Sequence, residues 1–132
     1  MKTSQALAAF AALSQETRLA ILRLLIKEGA DGLAAGEIAS RLAVQPSTLS
    51  FHVAALERAE LVNSRRVRRQ ILYAPNMKGV GGLMTFLLEY CCDGEPELCA
   101  EILAAAKAGC GSAGAAAPSV AAPKKLTAAR SR

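Results

Sequence analysis

Apolar residues recur at a helical period along most of this chain. Ala6, Leu7, Phe10 and Leu13 fit a short amphipathic helix, and Ser14 can cap a second helix in which Leu19, Leu22 and Ile26 share one face, with Arg18 and Lys27 elsewhere. Gly29 and the stretch to Gly32 stop that helix. A third, short helix is expected from Ala35 to Leu42. After the tight link Ala43-Val44-Gln45 a fourth begins, with Pro46 suited to its first turn. In the fourth helix Leu49, Val53 and Leu56 form one buried stripe, while Ser47, Phe51 and Arg58 point the other way. After Leu61 the period changes: Val62 to Arg66 and Gln70 to Tyr73 read as two short strands around a Val67-Arg68-Arg69 turn. Asn76 then caps a fifth helix with a wide stripe of Val80, Leu83, Met84, Leu87 and Leu88. Gly79, Gly81 and Gly82 weaken its start but let another backbone come close. Asp93-Gly94-Glu95-Pro96 is a stop and a restart, with Pro96 and Glu97 placed for the first turn of a last helix through Ile102 and Leu103.

Composition narrows this to one small domain. The chain has 132 residues, 52% of them hydrophobic but only 4% aromatic, which favours packed helices over a sheet-rich fold and excludes a large multi-domain enzyme. The expected class is mostly α, or α+β once the hairpin is counted. Residues 1–109 carry the pattern. From 110 to 132 the sequence is low-complexity and basic, with no core-forming period, and reads as a disordered tail. The stretch after Lys2 resembles a short signal-peptide core, but Ser4, Gln5, Ser14, Gln15 and Glu16 interrupt it and no long apolar run follows. A cytoplasmic protein without a membrane span is expected. In a reducing compartment, four cysteines point to ligands or redox sensors before structural disulfides.

The net charge of +5 matters less than its distribution. Leu61 to Pro75 holds four arginines and no acid, whereas Glu89 to Glu101 holds five acids and no base. Two short helices joined by about three residues are a helix-turn-helix, and a following arginine-bearing hairpin makes it winged. Such a unit suits B-DNA: short hydroxyl side chains enter the major groove, and the wing offers charge to the backbone or minor groove. Gln45, Ser47, Thr48, Ser50, Arg65, Arg66, Arg68 and Arg69 are the candidate contacts. His52 lies roughly 60° from the buried stripe, where it either touches phosphate or packs at the helix edge.

The segments LSQETRLAILRLLI and QPSTLSFHVAALERAELVNSRRVRRQILY resemble the ArsR family of bacterial metal-responsive repressors, over roughly Ala6 to Cys99. The resemblance implies a winged helix-turn-helix of five to six helices that dimerises through its first and fifth helices. It implies operator binding without ligand and release when an inducer binds. Family inducer sites differ in position. Where the best-known arsenic and cadmium sites carry a Cys-x-Cys pair in the third helix, this chain has Ala34 and Gly36. Zinc, nickel and cobalt sites use histidines and carboxylates on the fifth helix, but Met77 to Tyr90 offers only Glu89, and the single histidine lies in the fourth helix.

The remaining candidate is Cys91, Cys92 and Cys99, which looks like the C-terminal three-cysteine arsenic site of one subgroup. A continuous helix would separate Cys91 from Cys99 by about 12 Å, too far for a shared ligand, but the break from Asp93 to Pro96 lets the chain fold back. Three soft thiolates suit a pyramidal As(III) or Sb(III) centre. The surrounding acids repel arsenate, whereas neutral arsenous acid is admitted. Cys110, between glycines, has no partner spacing of its own. Within the same fold the alternative is a thiol-redox or persulfide switch pairing Cys99 with Cys91 or Cys92. An enzyme is not expected, because no Cys-x-x-Cys, phosphate-cradling loop or histidine beside the thiols is present. A metalloid-scavenging domain without DNA binding leaves the Leu61 to Pro75 arginines without a role.

Overall fold

The structure is a computed structural model that describes residues 1–89 and 96–110, the side chains of Pro96 and Cys110 excepted. The chain divides into two compact units, Met1–Cys91 and Cys92–Arg132. The first holds α1 (Thr3–Leu13), α2 (Glu16–Glu28), β1 (Leu33–Ala34), α3 (Ala35–Leu42), α4 (Pro46–Arg58), β2 (Val62–Val67), β3 (Gln70–Pro75) and α5 (Met77–Leu88). Of the second, the described part is one helix, α6 (Pro96–Cys110). Beyond it, the expected tail lies outside the described residues.

Local chemistry accounts for most boundaries. Ser14 does not cap α2 as the sequence suggests. It closes α1 instead, its hydroxyl donating to the Ala11 carbonyl at 2.8 Å, and Gln15 caps α2 by accepting from the Arg18 backbone N–H at 2.8 Å. Gly29 ends α2 with φ 83, as its position implied. Ala43 takes the left-handed conformation, φ 52, that turns α3 into the link before α4. Asn76 caps α5 as expected, accepting from the Gly79 N–H at 3.3 Å.

The hairpin is longer than its sequence pattern suggests. β2 and β3 pair from Val62 with Pro75 to Val67 with Gln70, leaving a two-residue turn of Arg68 and Arg69 with Arg68 at φ 57. A third strand, β1, pairs antiparallel with β3 through Leu33 with Tyr73 and Ala34 with Leu72, giving the order β1-β3-β2. β1 is only two residues long and carries no period that could have announced it. Gly32, at φ 75, lets the chain enter β1: a Cβ there would sit 2.7 Å from the Tyr73 carbonyl oxygen.

The core lies between α1, α2, α3, α4 and the strand bases. Ile21, Leu25, Ile38, Leu49, Val53, Leu56, Leu61 and Leu83 are fully or almost fully buried in it. On α4 the inward stripe is the expected one. On α1 and α2 the expected residues turn inward only in part, at Ala6 and Leu22. α1 turns Ala6, Ala9 and Ala12 inward and leaves Leu7 63% and Phe10 39% exposed; α2 buries Ile21, Leu22 and Leu25 and leaves Leu19 and Ile26 outside. Both helices carry two apolar faces, so spacing alone could not say which one the core takes. On α5 only Leu83 of the expected stripe is fully buried, and Met84 and Leu87 are exposed. Gly79 does admit a close backbone: a Cβ there would sit 1.9 Å from the Glu60 carbonyl oxygen, which also accepts from Asn76 Nδ2 at 2.8 Å.

Candidate nucleic-acid interface and cysteine segment

α4 is fixed from beneath and open above. Pro46 occupies its first turn, where its missing N–H costs nothing. Leu49, Val53 and Leu56, at 0%, 1% and 0% exposure, anchor the helix in the core. The same spacing turns Ser47, Thr48, Ser50 and Phe51 to solvent, and all four are exposed. The Ser50 hydroxyl donates to the Pro46 carbonyl at 3.1 Å, which leaves its oxygen lone pairs free to accept. Gln45 is exposed just before the helix and makes no side-chain cap bond, so its amide is available to an outside partner.

The wing brings a second polar surface. Arg65, Arg66, Arg68 and Arg69 are all exposed. They are not equivalent. Arg65 reaches back from β2 and donates to the Asp31 carbonyl at 2.8 Å, bracing the hairpin against the loop before β1. Arg66, Arg68 and Arg69 have no ion pair or hydrogen-bonded side-chain partner among the described residues, where the ion pair found joins Arg41 of α3 to Glu28 of α2. Three guanidinium groups near a tight turn, with no acid in the hairpin, form a cationic tip fitted to phosphate.

His52 packs at the helix edge. Its Nδ1 lies 3.3 Å from Arg18 Nη1 of α2, and the Arg18 Nε donates to the Ala12 carbonyl at the end of α1. Burial first, and the Arg18 charge second, hold the imidazole below its ordinary pKa. The ring is then neutral near pH 7, with Nδ1 accepting from arginine and Nε2 bearing the proton. Sequence reasoning missed Arg18. The tie spans 34 residues and leaves no local signature.

In the second unit Cys99 is the fourth residue of α6, half-buried and disulfide-bonded. Cys91 and Cys92 lie outside the described residues, as does the Cys110 side chain. Among the described residues no three His, Cys, Asp or Glu side chains gather in a way that could hold a metal ion. No described helix is long and apolar enough to cross a membrane.

A helix pair with its second helix presented outward, followed by an arginine-bearing hairpin on a small sheet, defines a winged helix-turn-helix DNA-binding module. Comparison with known proteins agrees. Residues 13–65 match a family described as a helix-turn-helix domain. The transcriptional activator HlyU of Vibrio cholerae is 32% identical over 90 residues, which span 68% of this chain and 81% of HlyU. The solved structure of reduced HlyU matches with a TM-score of 0.53 at 33% identity, over 68% of this chain and 92% of that one. An ArsR-like transcriptional regulator from Rhodococcus sp. RHA1 matches with a TM-score of 0.61 at 31% identity, over 74% of this chain and 89% of that one. A homodimeric winged helix-turn-helix DNA-binding domain from Mycobacterium bovis, from a possible ArsR-family regulator, matches with a TM-score of 0.55 at 26% identity, over 69% and 82%. The chain belongs to the ArsR family, which includes these regulators, and is a transcriptional regulator with a DNA-binding helix-turn-helix.

Proposed function

We propose that the chain is a cytoplasmic repressor that binds operator DNA as a homodimer. It leaves the operator when As(III) or Sb(III) is captured by Cys91, Cys92 and Cys99, and an arsenic-resistance operon is then transcribed. The observation that carries the DNA half of this reading is the pairing of an outward polar α4 surface with an uncompensated arginine tip on the wing. Gln45, Ser47, Thr48 and Ser50 would read base edges, while Arg66, Arg68 and Arg69 would neutralise phosphates. The dimer is supported by Leu7, Phe10, Met84 and Leu87, large apolar side chains that α1 and α5 leave exposed, and by the homodimeric Mycobacterium bovis relative.

Sensing is supported by the chemistry of the donor set. A trivalent metalloid keeps one lone pair and three bonds, so three thiols satisfy it without a fourth ligand. Capture of neutral arsenous acid would form three As–S bonds and break three As–OH bonds, each thiol proton leaving with a hydroxide as water. Release from DNA follows if the metalloid binds the DNA-incompetent dimer more tightly, and typical couplings of about 1–3 kcal/mol correspond to roughly 5–150-fold in operator affinity.

One observation favours a second reading, a thiol-redox switch: Cys99 is disulfide-bonded. Forming that bond takes two thiols to a disulfide with loss of two protons and two electrons, for which a peroxide or persulfide serves as oxidant. The two readings separate in one experiment on the full chain. Fully reduced protein bound to operator is titrated with arsenite under reductant, and in parallel with hydrogen peroxide without reductant. Metalloid sensing requires release in the first arm at one equivalent per monomer. Release in the peroxide arm alone assigns the cysteines to redox sensing.

A further inference from the structure

Phe51 is the one large apolar side chain on the outward face of α4, and the roles given above to the polar residues leave it unused. It follows Leu49 by two residues and precedes Val53 by two. At 100° per residue that puts it opposite the buried stripe, on the line it shares with Ser47 one turn earlier. It is 65% exposed, more than any other large hydrophobic residue in the described chain. The neighbouring Ser47, Thr48 and Ser50 are short, so the phenyl ring projects beyond them. No arginine, lysine or asparagine stands on the outward surface of the first two turns, and Gln45 alone can make a bidentate contact to a purine. A reading surface built mostly of hydroxyls and one aromatic ring has few ways to tell bases apart. The ring has one: the 5-methyl group of thymine is the apolar feature of the major groove.

The ring is also held. Its centroid lies 5.8 Å from that of His52 with the planes at 70°, an edge-to-face contact. His52 is itself fixed through Nδ1 by Arg18, and Arg18 is fixed by Nε to the Ala12 carbonyl and by its backbone N–H to the Gln15 side chain. A chain of contacts therefore runs from the α1–α2 corner to the outward face of α4.

We propose that Phe51 determines operator sequence by packing on a thymine methyl in the major groove, with Arg18 acting through His52 as the positioning residue that sets the ring. This rests on the DNA-binding reading above, and the test separates the two. Full-length protein selects its operator from a random-sequence duplex library, and each thymine of the selected site is then replaced in turn by deoxyuridine, which lacks only the methyl. In each half of the operator one such replacement weakens wild-type binding by about fourfold, the value of one buried methyl group. Phe51→Ala, which removes a side chain that is 65% exposed and outside the core, remains folded by its cooperative melting and binds the thymine and uracil sites equally. Phe51→Leu retains the preference. Arg18→Gln lowers the thymine-to-uracil ratio while the salt dependence of binding is unchanged, a split that general loss of folded protein does not produce. A uracil scan that is flat in the wild type, or that is identical in Phe51→Ala, overturns the assignment of Phe51 while leaving DNA binding intact. A thymine-to-uracil ratio unchanged in Arg18→Gln overturns the positioning role. Failure to select any sequence overturns the DNA-binding reading and this inference with it.

Discussion

α4 and α1 are helices of similar length that divide their surfaces differently. α4 has one apolar line, Leu49, Val53 and Leu56, entirely inside; its outward face carries hydroxyls, an amide neighbour and one phenyl ring. α1 has an inner line of Ala6, Ala9 and Ala12 and an outer pair, Leu7 and Phe10, that the monomer leaves in water. A helix with one apolar line serves one core and offers its remainder to a polar partner. A helix with small residues inside and large ones outside is built for close packing within the chain and a second apolar contact beyond it.

The largest expected effect breaks the α4 side of this comparison. Leu49→Ala removes a fully buried side chain and should cost about 2–5 kcal/mol in denaturant unfolding. Leu7→Ala on α1 should change the unfolding free energy of the separated monomer by less than about 1 kcal/mol, because that side chain is 63% exposed within the chain. Phe10→Glu is expected to convert dimer to monomer in sedimentation and, because a monomer engages only one half-site, to lower operator affinity. A Phe10→Glu dimer as stable as the wild type would remove α1 from the proposed interface.

The wing sharpens the contrast next. Replacing Arg66, Arg68 and Arg69 together with alanine should weaken binding to any duplex and reduce the slope of log affinity against log salt by up to about 0.9 for each phosphate no longer neutralised. Arg65→Ala should change the slope less, since its guanidinium already serves the Asp31 carbonyl. Equal slopes in all variants would take the wing out of the interface.

A smaller effect tests the tie between α2 and α4. The folded state holds His52 below its ordinary pKa of about 6.5, so the unfolded chain takes up the proton first as pH falls. The stability contributed by neutral His52 is present above about pH 6.5 and is lost as pH falls from there through the lower folded value. His52 is the chain's single histidine, so its proton resonances report this titration directly. In Arg18→Gln the midpoint should rise toward the ordinary value. A midpoint that does not move would mean the arginine contact is absent in solution.

These differences explain what could be read from sequence. The α3–α4 turn, the α4 stripe, the hairpin and the Asn76 cap were legible because each is set by residues within a few positions of one another. The inward faces of α1 and α2 were not. Leu7 and Phe10 are more apolar than Ala6 and Ala9, and Leu19 and Ile26 are as apolar as Ile21 and Leu25, so periodicity favours neither face until neighbouring helices are placed. β1 escaped because two residues show no alternation, and Arg18 because its partner comes from another helix. The cysteines are a different case. Their spacing indicates chemistry without geometry, and Cys91 and Cys92 fall outside the described residues.

Arsenite titration of the operator complex, run on the reduced full chain and on single cysteine variants, tests the sensing mechanism most directly. Cys91→Ser, Cys92→Ser and Cys99→Ser should each bind operator nearly as the wild type does without arsenite. Each should lose most arsenite-driven release, because two thiols hold a trivalent centre less firmly than three. Cys110→Ser should respond like the wild type. Full release by arsenite in all three cluster variants, with release abolished in Cys110→Ser, would contradict the assignment of the sensor to Cys91, Cys92 and Cys99.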